Sequence, residues 1–133
     1  MVFEKIKNDI LGKKYSLSIA FVSENKSQEL NKKYRRKDKP TNVLSFSLRA
    51  NMGEIVLCEP LIKREAKKLD KNYSKWLGFL VIHGMLHLKG LEHGVTMEKL
   101  EEKYDQKYFY RNRRRLKDDK SRGGRILEGR KKS

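Results

Sequence analysis

One stretch constrains what this chain can fold into more than any other: from Lys75 to about Leu88 it is apolar almost all round. Trp76, Leu77, Phe79, Leu80, Val81, Ile82, Met85, Leu86 and Leu88 leave no polar face wide enough for solvent. A helix of that kind is the central buried element of its domain. Ser74 is a candidate cap at its start, and Gly90 ends it. All three histidines of the chain fall on this stretch or just beyond it: His83, His87 and His93. Positions 83 and 87 are four apart, so on a helix their side chains point the same way, with Cβ atoms about 5–6 Å apart. Two imidazoles so placed reach one metal ion at bond lengths of about 2.0–2.1 Å. Gly90 permits a turn with positive φ at no steric cost, which can swing His93 back as a third ligand. Three protein ligands leave one position open, the arrangement of a catalytic rather than a structural zinc site. The competing reading is three separately hydrogen-bonded core histidines. Each would then need its own partner in the most apolar part of the chain, where an unpaired polar group is costly, whereas one shared ion satisfies all three. One zinc ion per chain is expected, although nickel and copper also take imidazole ligands.

The remainder reads as short elements around that helix. Phe3, Ile6 and Ile10 fall at helical spacing, with Gly12 as a stop. Leu17, Ile19 and Phe21 alternate along a strand from Ser16 to Val22. Ser23 is a candidate N-cap for a helix bearing Leu30 and Tyr34 on one face and ending near Arg36. Lys37 to Asn42 has loop composition, and Pro40 breaks any helix there. Val43 to Leu48 alternates again. A turn at Ala50–Gly53 then leads to a second strand, Glu54 to Cys58, so the two form a hairpin. Pro60 suits the first turn of a helix carrying Ile62, Ala66 and Leu69. Thr96 opens a last helix with Met97, Leu100, Tyr104 and Tyr108 in one core-packing stripe. The fold class expected is α+β: a small mixed β-sheet packed with helices, the central buried helix carrying the HxxxH pair.

Residues 1–110 are expected to form one domain, and 111–133 a basic tail, disordered when free. Eleven Lys or Arg stand there against three acidic residues, a net +8, which is half of the +16 carried by the whole chain. Such a balance points to a polyanionic partner, with nucleic acid first and an anionic membrane surface second; a merely solubilising extension is the bland alternative. Hydrophobic residues make up 37% of the 133 and charged residues 38%, polar for a globular protein but too rich in periodic apolar residues for a wholly disordered one. No stretch approaches the roughly 20 apolar residues of a membrane span, and charges interrupt every apolar run of MVFEKIKNDI, so no signal peptide is expected. The lone cysteine, Cys58, excludes an internal disulfide and fits a reducing cytosol, as a small core residue. A cytoplasmic location is expected.

The histidines also resemble the zinc-protease signature HExxHxxGxxH, except that Gly84 stands where the glutamate base belongs. A peptidase would need a carboxylate from elsewhere. A phosphodiester fits better, because a metal ion can polarise a phosphoryl oxygen and RNA carries its own 2′-hydroxyl nucleophile.

Two longer motifs carry a family resemblance. His83-Gly-Met-Leu-His87-Leu-Lys-Gly-Leu-Glu-His93 is similar to the H-G-x-L-H-L-x-G-x-D-H signature of the YbeY family. Leu30-Asn-Lys-Lys-Tyr34-Arg35-Arg-Lys-Asp38-Lys-Pro40-Thr41-Asn42-Val43-Leu44-Ser45-Phe46 resembles that family's L-N-x-x-Y-R-x-x-D-x-P-T-[DN]-V-L-S-F hallmark. The resemblance covers roughly residues 16–110. It implies an α+β fold with a three-histidine zinc site in a cleft. It also implies zinc-dependent endoribonuclease activity on single-stranded ribosomal RNA, in maturation and ribosome quality control, with the small ribosomal subunit or its assembly factors as partners. Arg35 takes the place of the family's important arginine, and Arg35 and His83 are the candidates for the catalytic machinery, with His83 also a metal ligand. Glu92 and Glu54 stand where the family has aspartates, and the family's first strand has no counterpart, so the sheet is expected one strand short or with its edge open. A zinc-stabilised ribosome-assembly factor that binds RNA without cutting it keeps every one of these features except the need for an open metal position.

Overall fold

The computed structural model describes residues 2–110; the basic stretch 111–133 lies outside the described residues. Among the described residues, five helices surround a three-stranded sheet. In chain order these are α1 (Val2–Ile10), β1 (Ser16–Val22), α2 (Glu24–Arg35), β2 (Val43–Arg49), β3 (Met52–Cys58), α3 (Glu59–Lys68), α4 (Tyr73–Leu88) and α5 (Val95–Phe109). Strand order is β1-β3-β2, with β1 parallel and β2 antiparallel to β3. The sheet is therefore mixed, as expected, and β1 pairs on one side only.

The hairpin forms with a register irregularity between Ser47 and Arg49. β3 begins two residues earlier than the sequence suggests, because parallel pairing of Ser16 with Met52 and Leu17 with Gly53 draws the expected turn residues into the sheet. As the central strand, β3 is buried from Ile55 to Cys58 on both faces. Cys58 is a buried free thiol, the core residue expected.

α4 is the core of the domain. Val81, Ile82, Met85 and Leu86 are wholly buried, and they cluster with Ile6, Ile55, Leu57, Ile62 and Met97. Its cap is Asn72 rather than Ser74: the Asn72 side chain accepts from the Lys75 amide at 3.1 Å, which starts the helix at Tyr73. Ser23 does cap α2, accepting from the Lys26 amide.

α2 buries polar rather than apolar side chains, and these lock the loop that follows. The Ser27 hydroxyl donates to the Thr41 carbonyl at 2.7 Å and accepts from the Thr41 amide at 2.9 Å. The Asn31 amide donates to the Lys39 carbonyl at 2.8 Å, and Gln28 donates to the Asp38 carboxylate. Arg36 ends the helix in the left-handed conformation (φ 60°). Much of the Leu30–Asn42 motif is thus a clamp that fixes where the last turn of α2 points. Among the described residues no helix is long and apolar enough to cross a membrane.

On α5, Asp105 has a buried Oδ1 without a hydrogen-bond partner among the described residues. Burial pushes its carboxyl up to about 6, against the pull of Lys71 and Lys75. The fold therefore holds the proton more tightly than the unfolded chain does, so stability from this group is full below the ordinary 3.8 and lost as pH rises through about 6. Asp105→Asn is expected to stabilise the protein by on the order of 1–2 kcal/mol at pH 7, with the gain gone under acid conditions. Urea unfolding on either side of that window checks this.

Candidate metal centre

His83 and His87 sit one turn apart on α4, and both side chains leave the core at the same edge. Beyond the helix, Gly90 adopts φ 107°, the positive-φ turn anticipated from sequence. It brings the chain back over the helix end, so that the Leu91 carbonyl faces His87 and the ring of His93 comes within 5.1 Å of the His83 ring and 4.8 Å of the His87 ring, centroid to centroid. One ring nitrogen from each of the three histidines lies within 4.8 Å of the others. His83 and His87 are half-buried and His93 is exposed, so the cluster opens to solvent on the His93 side.

The hydrogen bonds decide what these nitrogens can do. Nδ1 of His83 contacts the carboxylate of Glu101, and Nδ1 of His87 donates to the Leu91 carbonyl at 3.1 Å. A carboxylate and a carbonyl only accept, so both Nδ1 atoms carry a proton, and in the neutral rings both Nε2 atoms present lone pairs. Those two Nε2 atoms face each other at 3.1 Å. Two lone pairs at that distance repel unless a proton or a metal ion lies between them. Tetrahedral ligands at zinc–nitrogen distances of about 2.0–2.1 Å stand about 3.3 Å apart, close to what is seen. Burial, and then the neighbouring His83, hold the His87 imidazole below its ordinary pKa, which keeps its lone pair free. The donor set fits a divalent transition metal, and it fits poorly as three independent core histidines.

Glu101 is the residue that sequence reasoning missed. It lies on α5, buried, one helical turn after Met97 on the same inward face. An acidic residue on a core-facing stripe was the available signal. Glu92, the near neighbour of His93, is exposed, and the carboxylate behind the triad comes from Glu101 instead. Such a carboxylate orients a ligating imidazole and raises its basicity. Glu101→Gln keeps an acceptor but removes the charge. It is expected to weaken affinity for a divalent metal ion about 10–100-fold, as measured by competition with a chromophoric chelator, with the fold intact by circular dichroism.

Gly84 explains its own presence. A Cβ at this position would lie 2.9 Å from Ser45 Oγ and 3.1 Å from Ile55 Cδ1. The Ser45 hydroxyl also donates to the Gly84 carbonyl at 3.1 Å. Position 84 thus faces the sheet at close approach, and its glycine supplies no carboxylate of the zinc-protease kind.

A cavity of about 930 Å³ runs from the three imidazoles across β2 to the last turn of α2. Arg35 lines it, exposed and without an ion pair among the described residues. Tyr34, Phe46, Ser45 and Glu54 line it too. The structure therefore gathers Arg35, His83, His87 and His93 around one space, although Arg35 is nearly fifty residues from His83 in sequence.

The likeness to known proteins follows the same residues. A relative from Alteromonas mediterranea named Endoribonuclease YbeY is 44% identical over 84 residues, covering 58% of this chain and 53% of that protein. One of the same name from Colwellia psychrerythraea is 42% identical over 94 residues, covering 65% and 61%. A third, from Nitrosomonas eutropha, is 38% identical over 110 residues, covering 77% and 78%. The chain thus spans little more than half the length of the first two. The solution structure of TM1509 from Thermotoga maritima superposes with a TM-score of 0.62 at 29% identity, over 93% of this chain and 90% of that one. The family described as Endoribonuclease YbeY matches residues 2–111, which takes in the clamp on α2, the sheet and the whole histidine cluster. By that match the chain belongs to the YbeY family.

Proposed function

We propose that this protein is a zinc-dependent endoribonuclease that cuts single-stranded ribosomal RNA during its maturation and in ribosome quality control. It would work in the cytoplasm on the small subunit or its assembly intermediates. The observation that carries the reading is the cluster of three imidazoles, with the Nε2 atoms of His83 and His87 3.1 Å apart, in a cavity also lined by Arg35, which has no ion pair among the described residues. His83, His87 and His93 are the proposed ligands of one zinc ion per chain. Bound there, zinc supplies Lewis acidity toward a phosphoryl oxygen and offsets the charge that builds on it. Arg35 offers a planar fork of N–H donors that suits two phosphate oxygens at once and stabilises the added charge of the transition state. Glu101 fixes the His83 tautomer, and the Leu91 carbonyl does the same for His87. The β2 side of the cavity holds the RNA chain near the triad.

The basic stretch 111–133 is proposed as a tail outside the 1–110 catalytic domain, adding salt-sensitive affinity for phosphate backbones. Metal content and cleavage of single-stranded ribosomal RNA, measured on one nuclease-free preparation with and without chelator, test the reading. About one zinc per chain, with cleavage lost on chelation and restored by zinc, is the expected result. Zinc without cleavage would instead favour an assembly factor that binds RNA and uses the ion to steady its fold.

A further inference from the structure

The wall of the cavity opposite the triad is aromatic. Tyr34, on the last turn of α2, is 55% exposed. Its ring meets Phe46 of β2 edge to face, with centroids 5.0 Å apart and planes at 67°. Both rings line the same cavity as the three imidazoles. Arg35 is the next residue along α2 and lines that cavity too. The clamp around Asn31 and Ser27 fixes this helix end, so the ring and the guanidinium are presented together. The surroundings are cationic. Lys26 and Arg35 line the cavity against one acidic lining residue, Glu54, and the Lys33 ammonium lies 5.2 Å from the Tyr34 ring centroid.

An open aromatic face beside an arginine and lysines suits a polyanion whose units carry flat, apolar-faced groups. A nucleobase stacks on such a ring with little regard to its identity. In a duplex both faces of each base are covered by its neighbours, so an unpaired base alone can reach the ring. We propose that Tyr34, braced by Phe46, forms a base-binding subsite beside the histidine triad that takes one unpaired nucleobase next to the phosphate held by Arg35. This rests on the nuclease reading above and extends it: the subsite makes Tyr34 and Phe46 specificity-determining residues, and it accounts for a preference for single strands.

Binding, rather than cleavage, separates the two ideas. The probe is a short single-stranded 2′-O-methyl RNA, confirmed uncleaved on a gel, with 2-aminopurine placed at each position in turn and mixed with the zinc-loaded full chain. Expected is fluorescence quenching confined to one or two adjacent positions. Tyr34→Ala is expected to abolish the quench and to weaken binding about tenfold, and Tyr34→Phe, which keeps the ring, to restore both. An abasic unit at the quenched position weakens the wild type to the same degree and leaves Tyr34→Ala unaffected. Tyr34 is exposed enough that its truncation leaves the core untouched. Binding with no positional quench, or an equal loss from Tyr34→Ala on base-containing and abasic probes, overturns the subsite while leaving the nuclease reading standing. No binding to any single-stranded RNA overturns both.

Discussion

His87→Ala is expected to leave a folded protein that no longer retains zinc and whose RNA cleavage falls by about a thousandfold or more. A bound metal ion offsets several kcal/mol of developing charge at phosphorus, and each 1.36 kcal/mol is a factor of ten in rate. Two of the three proposed ligands remain, but the close pair of Nε2 atoms is broken. The cost to the fold is small by comparison. The variant loses the bond from Nδ1 to the Leu91 carbonyl, worth about 1 kcal/mol. Added zinc is expected to raise the melting temperature of the wild type, as any ligand selective for the native state does, and to leave the variant unmoved. RNA binding persists, because the Lys and Arg side chains are untouched. Elemental analysis, a thermal melt with and without zinc, and a cleavage assay check the three parts. Full cleavage by a zinc-free His87→Ala preparation would remove the metal from the chemistry.

Arg35→Ala is the second large effect, and it differs in kind. Removing one preorganised donor to a developing oxyanion costs about 10²–10³ in turnover. Here the loss is expected in kcat with zinc content and melting temperature unchanged, since Arg35 is exposed and makes no ion pair among the described residues. Arg35→Lys is expected to recover only part of the rate, because an ammonium keeps the charge but lacks the two-pronged geometry. Single-turnover kinetics under saturating RNA separate this from weakened binding. A rise in KM with kcat intact would make Arg35 a general phosphate contact instead.

Much of the architecture was legible because it is local. α4 declared itself through apolar residues on every side, and His83 and His87 declared themselves through a spacing of four. The positive-φ turn at Gly90 and the Ser23 cap follow from side-chain chemistry within a few residues. Non-local features were not readable. Glu101 reaches His83 from another helix, and nothing in the spacing around the histidines pointed to it. The parallel pairing of β1 with β3 lengthened β3 into what reads as a turn. α4 starts at Tyr73 rather than Lys75 because Asn72 and Ser74 are both good caps, and only the helix register chooses between them. Along α2 the apolar residues Leu30 and Tyr34 mark a cavity wall, whereas Ser27 and Asn31 are the buried ones. Their inward bonding to the loop carbonyls outweighs the usual preference for apolar residues inside.

The close seating of α4 on the sheet at Gly84 also bears on what this scaffold can become. Some glycine codons turn into glutamate codons by one base change, so mutation can reach the zinc-protease signature from here in a single step. That step presses a Cβ against the Ser45 hydroxyl and the Ile55 side chain. The helix would first have to lift, or both neighbours shrink, before the new side chain had anywhere to go. Until then the change unsettles the core and adds no base to the cavity. In this chain the step toward that signature is thus obstructed by the thickness of one methylene, though the genetic code leaves it open.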